Sequence, residues 1–136
     1  MTSLTLTAAL HAAIIATGSH SYAEAHRTTT ETGRPLVVLV GADWCPACQV
    51  MKNSTMPTVA QGGVLNKVSF AVVNTDQEST IAQQIMTPGV IPQLVMYRKT
   101  IDGWKRDALV GAHSSQEIEA FLLGGLEAPT ALLGQK

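Results

Sequence analysis

The chain has 136 residues, 46% apolar and 14% charged, and nine Lys and Arg against ten Asp and Glu leave a formal net charge of −1. That length suits one compact domain, which at this size buries about two-thirds of its unfolded surface and needs no disulfide or metal staple. The composition excludes a disordered polyampholyte, and the balanced charge offers no basic field to hold nucleic acid through its phosphates.

The longest mostly apolar stretch, residues 4–16, contains His11 and several threonines. At about 13 residues it falls short of the roughly 20 needed to span a bilayer. Two readings of the first 25 residues stay open. An apolar stretch ending near Ala23-Glu24-Ala25 resembles the core and cleavage site of a secretory leader, but no Lys or Arg precedes Arg27. Ser21-Tyr22-Ala23-Glu24 also reads as a capping box that opens a helix of the domain itself. The organisation expected is an N-terminal extension or possible leader at 1–20, a domain at 21–125 and a loose C-terminal tail at 126–136.

From Tyr22 a short helix is expected to run to Glu31 or Thr32, stopped by Gly33 and turned by Arg34-Pro35. Leu36-Val37-Val38-Leu39-Val40 has the pattern of a central strand covered on both faces. Gly41 to Trp44 leave that strand, and Cys45-Pro46-Ala47-Cys48 opens a helix with proline at its first position. Cys48, Met51, Thr55 and Val59 are spaced to face the sheet, and Pro57 should kink this helix near Asn53 before Gly62-Gly63 ends it.

A second inner strand is expected at 68–73, with Asp76 capping a helix at 78–86. The proline-rich loop Thr87 to Pro92 leads into a strand at 93–98. Ile101-Asp102-Gly103-Trp104 turns the chain into a strand at 105–110, and Ser114 or Ser115 caps a last helix ending at Leu123. A parallel pair joined by a helix, followed by antiparallel strands and a closing helix, gives an α/β three-layer sandwich with a mixed sheet between helices.

Two residues between the cysteines put both thiols on the first helical turn at a separation compatible with a disulfide. Cys45 occupies the cap, where unsatisfied N–H groups and the positive end of the helix dipole favour a thiolate, while Cys48 lies deeper. The asymmetry assigns attack on a substrate disulfide to Cys45 and resolution of the mixed disulfide to Cys48.

A bare C-x-x-C also occurs in metal sites and unrelated helices. Here it follows a buried strand, stands directly after Trp44, and is followed about 45 residues later by Ile91-Pro92-Gln93 at the start of another strand. Trp44-Cys45-Pro46-Ala47-Cys48, Pro57, Val72-Val73-Asn74-Thr75-Asp76 and Gly89-Val90-Ile91-Pro92 together resemble the thioredoxin-like family over residues 22–124. The resemblance implies a thioredoxin-like fold and a thiol–disulfide oxidoreductase acting on protein disulfides, with no bound cofactor. It also implies that Pro92 is the cis-proline facing the cysteine pair. Trp44, Pro46, Ala47, Ile91 and Pro92 would then form the substrate-binding surface, and an extended peptide would pair with the Ile91 backbone.

Two positions depart from thioredoxins proper. Leu39 stands where they carry a buried Asp, and Val72 where they carry a Lys. Resolution by Cys48 is therefore expected to be slower than in a chain with that acid. The alternatives are a peptide-binding module of the same fold with little redox turnover, or a copper or zinc carrier in which His26, His113, Asp43 or Met51 joins the cysteines. His11, His20, His26 and His113 are expected to lack a carboxylate or cysteine partner, which excludes a catalytic triad. Trp104 is read as surface packing. The expected partners are disulfide-containing proteins and a recycling reductase or dithiol, with no nucleic acid and no membrane span. The protein is expected to be a soluble monomer, cytoplasmic in preference to periplasmic or exported.

Overall fold

The computed structural model describes the backbone of residues 21–134 and side chains as far as Glu127. The extension at 1–20, with its leader reading, His11 and His20, lies outside the described residues. Ser21 opens helix α1 (Tyr22–Thr32) through a reciprocal capping box: its hydroxyl accepts the Glu24 N–H and the Glu24 carboxylate accepts the Ser21 N–H, both at 3.3 Å. Gly33 closes the helix at φ 78°, donating its N–H to Thr29 O. This left-handed cap is open to glycine at no steric cost.

Strand β1 (Leu36–Gly41) is buried along Leu36 to Val40, because both faces of the sheet are covered. Val37 and Leu39 pack on one side with Met51, Met56, Val59, Leu94 and Ile118. Leu36, Val38 and Val40 pack on the other with Ala25, Val73, Ala82 and Ile85. The sheet has the order β2-β1-β3-β4, from β2 (Ser69–Asn74), β3 (Gln93–Thr100) and β4 (Gly103–Val110). β1 runs parallel to β2 and antiparallel to β3, and β3 runs antiparallel to β4. The expected mixed sheet between two helical layers is the architecture observed.

After β1 the chain enters α2 (Pro46–Val50), passes through a π-helical turn over Met51–Thr55 and continues as α3 (Met56–Gln61). The irregularity falls around Asn53, where a kink was expected, and its form is a widened turn. Pro57 supplies no N–H to the ladder, and the turn before it shifts to wider pairing, with the Met56 N–H donating to Met51 O. Met51, Met56 and Val59 stay buried while Lys52, Asn53 and Ser54 face solvent.

Four expectations are corrected. Asp76 does not cap the following helix α4 (Ser79–Ile85): its carboxylate accepts the Trp44 indole N–H at 2.9 Å, and Asn74 Oδ1 instead accepts the N–H groups of Asp76 and Gln77. Gly103 and Trp104 belong to β4, because Thr100 closes the hairpin one residue earlier by accepting the Asp102 N–H and donating to Gly103 O. Trp104 is half-exposed there and borders a groove with Tyr22, His26 and Tyr97. The last helix, α5 (Ser115–Gly134), continues past Leu123 through most of the segment expected as a tail. Gly125 is a site of close approach: a side chain there would meet Met96 Sδ at 2.6 Å, and Leu126 also packs on the core.

The fourth correction concerns His113, which does have a carboxylate partner. Its Nδ1 lies 2.8 Å from Glu117 Oε2, one helical turn away, and its Nε2 lies 3.1 Å from Val110 O. The hydrogen bond to Glu117 and that to Val110 raise the His113 pKa, and the same hydrogen bond lowers that of Glu117. A raised histidine stabilises the fold fully below its unfolded pKa of about 6.5 and loses that contribution as pH rises through the folded value. The lowered carboxylate contributes above its unfolded value of about 4.3 and loses its share as pH falls through the folded one. The pair is solvent-exposed, so the effect is small. His113→Gln should lower the urea midpoint at pH 5.5 more than at pH 8.5. An equal shift at both pH values would remove the ion pair as its cause.

β1 ends at Gly41, against which the next helix is seated. A side chain at position 41 would place its Cβ 2.9 Å from Cys48 Cβ and 3.0 Å from Cys48 Sγ. Gly41→Ala should therefore destabilise by about 1–3 kcal/mol, the usual cost of forcing an extra carbon into a packed interior. Urea unfolding checks this, and an unchanged midpoint would show that the helix can retreat freely.

Candidate active site

Cys45 ends the turn after β1 in extended conformation and caps α2, with Pro46 at the first helical position, where its missing N–H costs nothing. The Cys48 N–H, unsatisfied within the helix, donates to Cys45 Sγ at 3.2 Å. The cysteines are joined as a disulfide with Cα atoms 5.2 Å apart, within the range that the bond requires. Both are buried in this oxidised form, Cys45 to 7% exposure and Cys48 to 4%. The inner position of Cys48 is thus expressed by its contact with Gly41, more than by a large difference in accessibility.

The loop from Thr87 to Pro92 reaches the pair through Ile91. Ile91 packs on the cluster formed by Ala42, Cys45 and Cys48, as does Ala47. The Ile91–Pro92 peptide bond is cis, Pro92 is buried, and Pro92 O accepts the Gly111 N–H at 2.8 Å. Trp44 stands beside Cys45 with 69% of its surface exposed, held by its indole bond to Asp76, and Pro46 is exposed. The structure therefore gathers Trp44, Cys45, Pro46, Ala47, Cys48, Ile91 and Pro92 at one end of the sheet.

Three other residues organise this region. Gln93 is fully buried at the start of β3; its amide donates to Thr87 O and Val90 O, and its carbonyl oxygen accepts the Thr87 N–H. One side chain thus fixes the loop that carries Ile91. A Gln directly after an X-Pro pair, at the head of the apolar run Leu94-Val95-Met96, was the available signal. Gln49 donates its amide to Asp43 O at 3.3 Å, bracing the turn before the cysteines. Val90, 45% exposed, adds apolar surface next to Ile91.

The interior beneath the pair is apolar. Leu39 is 2% exposed, and Val72 stands opposite it in parallel register. Among the described residues no group of three or more His, Cys, Asp or Glu side chains could hold a metal ion. None of the described helices is long and apolar enough to cross a membrane.

Comparison with known proteins agrees with this geometry. The family described as thioredoxin-like matches residues 17–99, which include the cysteine pair and the Ile91–Pro92 loop. No curated protein matches the chain. Among solved structures, a thioredoxin from Thermus thermophilus superimposes with a TM-score of 0.65 at 23% identity, over 77% of this chain and 83% of that one. A thioredoxin from Fasciola hepatica gives 0.58 at 22% identity, over 77% and 94%. A thioredoxin from Trichomonas vaginalis gives 0.56 at 23%, over 78% and 92%. These likenesses concern the fold, while the family match covers more than half of the chain: the protein belongs to the thioredoxin-like family.

Proposed function

We propose that the protein is a thiol–disulfide oxidoreductase that reduces or exchanges disulfides in other proteins through Cys45 and Cys48. The observation that carries this reading is the pair itself, joined across the first turn of a helix with Cys45 at the cap. In the reduced chain the N–H groups of that turn and the positive end of the helix dipole favour a thiolate on Cys45. The thiolate attacks one sulfur of a substrate disulfide; a bond forms to Cys45 Sγ, and the other substrate sulfur leaves with the electron pair and takes a proton. Cys48, as a thiolate, then attacks Cys45 Sγ, forming the intramolecular disulfide and releasing the second substrate thiol. The protein loses two electrons and the substrate gains them. A dithiol partner returns the protein to its reduced form by the reverse exchange.

Trp44, Pro46, Ala47, Ile91 and Pro92 are the proposed contact surface for substrate, with the Ile91 backbone pairing with an extended segment. The exposed apolar surfaces of Trp44 and Val90 suit a partner with apolar side chains beside its disulfide. Main-chain pairing makes such recognition tolerant of sequence. The protein is proposed to act as a monomer.

Insulin reduction driven by dithiothreitol tests the activity. The intact chain should accelerate precipitation and Cys45→Ser should not. Equal rates would leave a peptide-binding role alone. Alkylation of the reduced chain over a pH series should place the Cys45 midpoint at least about one unit below the usual thiol value of about 8.5. A midpoint at or above that value would overturn the thiolate assignment. Leu39→Asp should speed the release of a substrate held on Cys45 by about tenfold near neutral pH, since it installs a base beneath Cys48. Leu39→Asn, which adds polarity but no base, should not. Equal rates in the two variants would count against general-base control of resolution.

A further inference from the structure

Cys48 must lose a proton before it attacks, yet it is 4% exposed and packs with Ala42, Cys45, Ala47 and Ile91, none of which is a base for that proton at the resolution step. Leu39 and Val72 offer none either. The opening beside Cys48 is a cavity of about 30 Å³, walled among others by Leu39, Asp43, Lys52, Val72 and Asn74. A single water needs roughly 10–15 Å³ measured in this way, so the cavity has room for water against the sulfur. Its outer wall is shared with a surface groove: Asp43, Lys52, Val72 and Asn74 border both, and Ser21, Gln77 and Glu78 complete the groove.

Glu78 is the unusual member. Its Oε2 is buried and has no hydrogen-bond partner, an arrangement that is costly for a carboxylate unless water reaches it or the group has chemical work. It is also the cap residue of α4 without making a side-chain capping bond, so a capping role does not account for its position. The charged residues lining the cavity and the groove are Asp43 from the turn after β1, Lys52 from the π-helical turn and Glu78 from the loop after β2, and the Glu24 carboxylate of α1 is bonded to Ser21 at the groove's edge. The neighbouring Asp76 is occupied by the Trp44 indole.

We propose that Glu78 accepts the proton of the Cys48 thiol through water in this cavity, in place of a buried acid beneath the pair. This rests on the exchange chemistry proposed above. In the resolution step the Cys48 proton passes by water to the Glu78 carboxylate. Cys48 Sγ bonds to Cys45 Sγ, the bond from Cys45 to the substrate breaks, and the substrate sulfur leaves with the electron pair and is protonated from solvent. Glu78 then gives its proton to bulk water through the open groove.

The test uses the full reduced chain and 5,5′-dithiobis(2-nitrobenzoate). Attack by Cys45 releases one thionitrobenzoate, and resolution by Cys48 releases the second, which Cys48→Ser should abolish. Failure of the intact chain to give the second release would remove the exchange reading itself. With that release established, Glu78→Gln should slow it roughly tenfold at pH 6–7 and rejoin the intact chain above about pH 9, where hydroxide replaces the carboxylate. In a Leu39→Asp background, where a nearer base is present, the same substitution should have no effect. Unchanged rates at pH 6–7, or an equal slowing at every pH, would overturn the role of Glu78.

Discussion

The cysteine chemistry depends on how closely the first turn of α2 sits against the end of β1. Gly41 permits that approach, since its missing side chain leaves the space occupied by Cys48 Cβ and Sγ. The approach fixes the inner cysteine, and the helical turn then presents the outer one at the cap, where the Cys48 N–H meets its sulfur. Strand, glycine, turn and helix therefore form one mechanical unit. A sulfur at a helix start has little value for exchange unless its partner is held one turn away in bonding range.

Around this unit the protein arranges contrasting environments. Toward solvent, Trp44 and Val90 remain exposed beside a loop that Gln93 pins from within. Toward the interior, Leu39 and Val72 close the space beneath Cys48 with hydrocarbon. To the side, a small cavity borders Cys48 among Leu39, Asp43, Lys52, Val72 and Asn74.

Much of this was legible in the residues. The five-residue apolar run of β1 has no polar position to turn toward water, so it had to be central. The capping box at Ser21, the glycine stop at Gly33 and proline at position 46 each act within one helical turn, and each did what local chemistry requires. The misreadings share a cause. Asp76, Gly103, the end of the last helix and His113 were judged from immediate neighbours, and in each a partner three or more residues away decided the outcome. Trp44 claims Asp76 from 32 residues away. Met96 in β3 requires the small residue at position 125, and the helix continues past Leu123 to pack there. Thr100 moves the hairpin turn by binding Gly103. Glu117 stands one turn from His113 along the same helix end, and the spacing alone sufficed to pair them.

The sequence by itself determined the alternation of buried strands and capped helices, the placing of two cysteines on one helical turn, and the absence of an acid at position 39, because these depend on periodicity, local hydrogen bonding and residue identity. Only the tertiary structure decided that Ile91 packs on the cysteines, that Gly41 admits Cys48, and that the groove lined by Glu78 adjoins the cavity beside Cys48. Those relations join segments roughly 7 to 45 residues apart in the chain. They follow from how the strands order themselves in the sheet and how closely the helices settle upon it, which no local pattern encodes.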